Sequence, residues 1–222
     1  RPLVVSALPL RPPGAPVIMS GHLRHYATGS PAGRSPHHHG QKKNNNMMHN
    51  VIFDTDPGVD DALALLYLHK HPQVNLLAVT TVFGNAAVES TTHNALFLKQ
   101  AWGLDAPVAR GAAGPLQPDA QPEAWPVHIH GDNGLGNHPV PAQLEVAADP
   151  RSAHQLIIDL VRAQPGQVTL VAVGRMTNLA LALREAPDIA SLVRGVVIMG
   201  GAFHVNGNIT PAAEANIWGD AE

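Results

Sequence analysis

Cysteine is absent from all 222 residues, so neither a disulfide framework nor a thiolate metal centre can be built. Aromatic residues make up 4% of the chain against 45% hydrophobic overall, so any core must be aliphatic. No apolar run approaches the ~20 residues a helix needs to cross a bilayer, which argues against a membrane partner. Acidic side chains are missing from residues 1–50, which carry six Lys or Arg. The remaining 172 residues therefore hold 8 basic and 17 acidic side chains. So acidic a body is poorly suited to nucleic acid, because phosphate contacts depend on Lys and Arg. It suits an enzyme that uses a cation on a small molecule.

Residues 1–46 lack any sustained hydrophobic period. They contain seven prolines, the run His37–His39 and the run Asn44–Asn46. Such a composition buries too little apolar area to order itself. The expectation is a disordered or non-native leader over 1–46 and one folded α/β domain over 47–222, starting near Met47 and Met48. The acid-free leader with scattered Arg and Ser has a transit-peptide-like composition. Organellar targeting is thus a second reading beside a cytoplasmic location.

The most informative run is Val51-Ile-Phe-Asp-Thr-Asp-Pro-Gly-Val-Asp-Asp-Ala62. A short apolar stretch empties into a turn with four carboxylates, Asp54, Asp56, Asp60 and Asp61, and an apolar helical pattern follows. Acidic residues complement a helix N-terminus, but that accounts for one or two of them. Four like charges in eight residues become tolerable together around a hard cation, because calcium and magnesium take oxygen ligands. Pro57 and Gly58 supply the turn. Asp54 is expected to hydrogen-bond within that turn rather than touch a metal.

Beyond this turn, apolar strand-like runs alternate with helical ones. Residues 75–82, 107–110, 168–173 and 195–199 read as buried strands. Helices are expected over about 60–70, 86–102, from Ser152 onward and from Thr177 to about Ala186. Ser152 with Gln155 has the form of a capping box, and Thr177 can cap the next helix. Residues 111–142, rich in Pro, Gly and His, form a long loop of the kind that usually serves function. Strands alternating with helices predict an open, mostly parallel sheet with helices on both faces, a Rossmann-like α/β fold. In such sheets ligands bind beyond the carboxyl ends of the strands, where the aspartate turn lies.

Five stretches together resemble one family. They are Asp54-Thr-Asp-Pro-Gly-Val-Asp-Asp-Ala62, Val82-Phe-Gly-Asn85, His130-Gly-Asp-Asn-Gly-Leu-Gly136, Val173-Gly-Arg-Met-Thr-Asn178, and Met199-Gly-Gly followed by Gly207-Asn-Ile-Thr-Pro-Ala-Ala-Glu-Ala-Asn216. In order and rough spacing they resemble the inosine–uridine-preferring nucleoside hydrolases, over about residues 48–222. The resemblance implies calcium-dependent hydrolysis of the N-glycosidic bond of ribonucleosides, by a homodimer or homotetramer. It implies that Asp56 and Asp61 bind calcium through their carboxylates and Val173 through its carbonyl, with Asp56 also the general base. It implies that Asp60 and Asn85 hold ribose hydroxyls, that Asn208, Glu214 and Asn216 hold its other side, and that Met199 and His130 lie near sugar and base. In the family a more distal part supplies another aspartate to the calcium and, in many members, a histidine for the leaving base. No residue before Glu222 fills either position. The sequence therefore resembles the N-terminal portion of a member, its fold incomplete at the C-terminus. An inactive paralogue that binds nucleoside or metal is the alternative.

A further rival is a haloacid dehalogenase-like phosphohydrolase, whose strand ends in Asp-x-Asp as Asp54-Thr-Asp56 does. Pro57 and the Asp60–Asp61 pair depart from that pattern. The last lysine, Lys99, precedes most of the domain, so the later lysine of that pattern is missing.

Overall fold

The computed structural model describes residues 7–9, 48–117 and 125–221. Its strands are β1 (Ala7–Pro9), β2 (His49–Thr55), β3 (Val74–Thr81), β4 (Val108–Arg110), β5 (Val168–Ala172) and β6 (Gly195–Ile198). They form one sheet in the order β1-β6-β5-β2-β3-β4. β2 to β6 are mutually parallel, and only β1 runs antiparallel, along the outer edge of β6. The three residues of β1 fall within the stretch expected to be a leader; most of that stretch lies outside the described residues.

The helices are α1 (Val59–Lys70), α2 (Val88–Trp102), α3 (Val127–His130), α4 (Ala153–Ala163), α5 (Thr177–Glu185), α6 (Ile189–Leu192) and α7 (Ala215–Gly219). Successive strand residues point to opposite faces, and this sorts the core into two aliphatic layers. Ile52, Ala78 and Leu170 face α4, α5 and α6, where Leu156, Ile157, Val161, Leu179, Ala182 and Ile189 pack. Phe53 and Val79 face α1 and α2, where Leu65, Ala95 and Leu98 pack. The helices thus cover both faces, as the alternating pattern requires. None is long and apolar enough to cross a membrane among the described residues.

The order of the strands matters most for function. The chain proceeds from β2 through β3 to β4 on one side, then returns to place β5 and β6 on the other. The crossover directions therefore reverse between β2 and β5. At such a switch point the loops leaving the two strands diverge and open a crevice at their carboxyl ends.

Local details depart from the sequence pattern in three places. Ser152 does cap α4, its Oγ accepting from the Gln155 amide at 3.4 Å. The Gln155 side chain, however, donates to Asp159 at 2.9 Å, so the box is only half formed. Thr177 is the first residue of α5 rather than its cap, and its hydroxyl donates to Asp220 instead. The 111–142 stretch is not featureless: α3 lies inside it. After α3, Asn133 Oδ1 accepts the amides of Leu135 and Asn137, and Asn137 Oδ1 accepts that of Asp132. Gly131, Gly134, Gly136 and Asn137 all adopt positive φ there, which explains the glycines.

Candidate active site at the switch point

β2 delivers Asp54, Thr55 and Asp56 to the crevice, all buried. Gly58 is the N-cap residue of α1, and its amide donates to Asp61 Oδ2 at 3.0 Å. Helix capping thus explains part of the position of Asp61. Thr55 Oγ1 donates to the other oxygen, Oδ1, at 2.8 Å. Asn85, just past β3, ties the two inner carboxylates together. Its backbone amide donates to Asp56 Oδ2 at 2.8 Å, while its side-chain amide donates to Asp61 Oδ2 at 2.9 Å and to the Asp56 carbonyl at 3.0 Å. The family resemblance implies a ribose contact for Asn85; in this structure its NH2 group orients the acids.

Glycines leave room on both sides of Asp56. A Cβ added to Gly84 would lie 2.0 Å from Asp56 Oδ2, and one added to Gly174 would lie 2.5 Å from Oδ1. Both positions must therefore be glycine if Asp56 is to keep its place. Gly174 also shows that the exit of β5 abuts Asp56 across the switch point.

The electrostatics of these acids are set by burial. Burial, and secondarily the Asp61 charge, push the Asp56 carboxyl well above the usual carboxylate range. Burial, with the Asp60 charge next, pushes Asp61 up to about 7. Burial also pushes Asp54 up to about 7, against the hydrogen bonds of Thr80 and Asn178. Asp54 does not bond within its own turn, as the sequence suggested. Its Oδ1 accepts from Thr80 Oγ1 on β3 and from Asn178 Nδ2 on α5, because the strand directs it sideways into the sheet edge.

Asp60 points outward and is largely exposed, with its carboxylate 3.9 Å from His130 Nδ1. The buried His130 ring caps the start of α1: its Nδ1 accepts the Val59 amide at 3.3 Å. In that geometry the neutral imidazole carries its proton on Nε2. Burial holds the His130 pKa below its ordinary value, with Asp60 acting in the opposite sense.

The second half of the site comes from the exits of β5 and β6. Asn216 Nδ2 lies 2.7 Å from the Val173 carbonyl oxygen, 3.0 Å from the Met199 carbonyl oxygen and 3.2 Å from Met199 Sδ. Glu214 is buried and caps α7, its Oε1 accepting the Asn216 amide and its Oε2 those of Ile217 and Gly201. Asn208 Oδ1 accepts the Ala215 amide at 2.9 Å. The expected residues thus fall into two groups. Asp56, Asp60, Asp61, Asn85 and His130 lie on the β2 and β3 side, and Val173, Met199, Asn208, Glu214 and Asn216 on the β5 and β6 side. They meet where Gly174 touches Asp56.

Sequence reasoning missed Asn178, Thr80 and Arg175. Arg175 is buried with its guanidinium 4.7 Å from the centre of the Phe83 ring, and it donates to the Gly219 carbonyl at 2.8 Å. An arginine directly after the glycine that follows β5 was the available signal.

The family model for inosine-uridine preferring nucleoside hydrolases matches residues 51–222. The chain belongs to this family. Its relatives include uridine nucleosidase 1 of Arabidopsis thaliana, 43% identical over 78% of this chain and 51% of that protein. The inosine-uridine preferring nucleoside hydrolase of Leishmania major is 42% identical over 79% of this chain and 55% of that protein. Among solved structures, a plant nucleoside hydrolase superposes with a TM-score of 0.73 at 42% identity, covering 78% of this chain and 54% of that one. A purine-preferring ribonucleoside hydrolase from Gardnerella vaginalis gives 0.74 at 36% identity, over 78% and 55%. The chain spans about half the length of the curated relatives it matches.

The donor set of this nucleoside hydrolase-family site fits a hard cation. Among the described residues no cluster of three His, Cys, Asp or Glu side chains stands ready to hold a metal. The candidate set is instead two carboxylates, Asp56 and Asp61, and one backbone carbonyl, Val173. All three offer oxygen, which suits calcium, and calcium commonly completes its shell with water or neutral hydroxyls. Two buried acids, the charge of one raising the proton affinity of the other, are also what a divalent ion relieves.

Proposed function

We propose that the protein hydrolyses the N-glycosidic bond of ribonucleosides, releasing ribose and free base, with calcium held by Asp56, Asp61 and the Val173 carbonyl. The observation that carries this is the pair of buried carboxylates bridged by Asn85 at the switch point, beside a backbone cleared of Cβ atoms. Bound calcium would lower the pKa of a water and anchor ribose hydroxyls.

Each protein group then has a chemical task. Asp56 accepts the proton of the attacking water. Asp61, fixed by Thr55, Gly58 and Asn85, is held as an anionic ligand. Asp60 and Asn85 receive ribose hydroxyls on one side, and Asn208, Glu214 and Asn216 on the other. Met199 and His130 border the sugar and the base, with the Nε2–H of His130 available as a donor. N-glycosidic cleavage develops oxocarbenium character on the ribose, as in glycoside hydrolysis. Preorganised carboxylates and amide oxygens stabilise that positive charge. The active assembly is a homodimer or homotetramer, and the compartment is the cytoplasm.

A reducing-sugar assay with inosine and uridine tests this. It is run on the 222-residue chain and on a chimera joining residues 48–222 to the distal half of the Arabidopsis uridine nucleosidase. Calcium-dependent ribose release that Asp56→Asn lowers by ~10²-fold or more supports the proposal. Nucleoside binding without turnover in both proteins supports an inactive paralogue. Turnover that survives Asp56→Asn overturns the assigned chemistry.

A further inference from the structure

Asn178 has no part in the chemistry just described, yet it is fully buried one turn of chain beyond Val173 and Gly174. Every polar atom of its amide is engaged. Nδ2 donates to Asp54 Oδ1 at 2.8 Å and to the Thr81 carbonyl at 2.9 Å, and Oδ1 accepts the Ala112 amide at 2.9 Å. These partners leave three different strands: β2, β3 and β4. Asn178 itself follows β5, so one side chain joins four neighbouring strand exits across the switch point. Gly111 leaves space for it: a Cβ there would lie 2.2 Å from Asn178 Oδ1 and 2.4 Å from Nδ2.

A second tie runs in parallel. The Val173 amide donates to the Asp54 carbonyl at 2.9 Å. Asp54 is therefore held twice from the β5 side, by backbone at Val173 and by side chain at Asn178, while Thr80 holds it from the β3 side. Two residues further on, just past the end of β2, stands Asp56, with Gly174 pressed against it. The Asp54–Asn178 clamp thus ties the strand that leads to Asp56 to the turn that carries Val173 and Gly174.

We propose that Asn178 is a positioning residue that sets the register of the Val173–Gly174 turn against Asp54–Asp56, and through it the cation affinity of the site. The cation part rests on the proposed function; the positioning part does not. Buried polar groups with all their partners made specify one arrangement, and removing one leaves its partners unsatisfied. Outer residues that orient metal ligands typically change affinity by ~10–100-fold when replaced.

Two measurements on the 222-residue chain separate the parts. Amide hydrogen exchange reads positioning without metal. In Asn178→Ala and in Asn178→Asp, which keeps the shape and the Ala112 acceptor but loses both donors, the Val173 and Asn85 amides should exchange at least ~10-fold faster than the drop in global stability accounts for. Leu156→Ala, a core change on the α4 face, should lower global stability without this local excess. Calorimetric titration with calcium alone should then show affinity falling ~10-fold or more in both Asn178 variants and unchanged in Leu156→Ala. If either variant fails to fold, Asn178→Ser takes its place. Exchange that follows global stability alone in the folded variants overturns the positioning role, whatever the metal result. Unchanged calcium affinity beside a local exchange effect overturns the link to the cation. Wild-type protein that binds no calcium overturns the cation reading and leaves exchange to decide positioning.

Discussion

Substituting Asp61 by asparagine in metal-free protein should make folding stability much less sensitive to pH between 5 and 7.5. In the fold Asp61 is buried and its carboxyl is pushed up to about 7, from an ordinary value of 3.8. The folded state therefore binds a proton more tightly than the unfolded chain does. A raised carboxyl pKa costs nothing below the unfolded value. The cost grows as pH rises through the window from 3.8 to about 7 and is complete above it. Each tenfold gain in proton affinity on folding corresponds to ~1.4 kcal/mol, so Asp61 at pH 5 has met roughly a third of its cost. By pH 7.5 it has lost a further ~2–3 kcal/mol. Asparagine carries no such titration. It introduces a fixed penalty, because its NH2 faces the donors of Gly58 and Asn85 in one orientation and of Thr55 in the other. That penalty is the same at both pH values and cancels in the comparison. Removing the Asp61 charge also lowers the proton affinity of Asp56, which adds to the effect in the same direction. The assay is urea unfolding in a chelator at pH 5 and pH 7.5, for wild type and variant. The wild type should lose ~2–3 kcal/mol more than Asp61→Asn over this interval. A difference below ~0.5 kcal/mol would refute the account of a desolvated acid.

Calcium should raise the melting temperature of the chain at pH 7.5 more than at pH 5, since binding displaces protons from the same acids; Asp61→Ala should abolish the shift, and an unchanged shift in a thermal scan would remove Asp61 from the ion's shell. Gly174→Ala places a Cβ 2.5 Å from Asp56 Oδ1 and should cost ~1–3 kcal/mol in urea unfolding while weakening the calcium response; a neutral effect would show that Asp56 can move away. Lys99 Nζ donates to the carbonyls of Leu104, Asp105 and Ala106 at 2.6, 3.2 and 2.9 Å beyond the end of α2. Lys99→Met should therefore lower stability by ~1–3 kcal/mol without changing calcium affinity, and a loss of calcium binding would contradict the separation of that corner from the site. Deleting residues 1–46 should leave the urea midpoint nearly unchanged, because so Pro-rich and polar a composition offers little apolar area to bury; a loss above ~1 kcal/mol would show that the stretch, β1 included, supports the fold.

Much of this site was readable because chemistry and topology coincide in the aspartate turn. Buried parallel strands carry uninterrupted aliphatic runs, so Val51–Phe53 and residues 75–82 announced themselves, and the aspartate turn marked the carboxyl edge of the sheet. Strand order was not readable, since period and length say nothing about which side of β2 the chain returns to. The roles of single polar residues were equally hidden. Thr80 and Asn178 sit in ordinary strand and helix positions, and only the fold brings them to Asp54. Thr177 has the composition of a cap, yet tertiary contact with Asp220 claims its hydroxyl. Gly84 and Gly174 stand inside motifs that the sequence displays, but the constraint on them is steric, imposed by Asp56 from a distant part of the chain.

The central position of β2 also bears on the order in which the molecule can assemble. β2 precedes both of its neighbours in the chain, pairing with β3 soon after and with β5 only after a long excursion. The Asp54–Asn178 contact closes a loop of 124 residues, and long loops delay the contacts that depend on them. During synthesis the residues of β2, β3 and β4 and the acids of the aspartate turn leave the ribosome before those of β5, which must add to the other flank of β2. The crevice closes only when β5 docks. Any ligand that needs both banks of it will therefore report the last long-range step of folding, and not the presence of the aspartate turn alone.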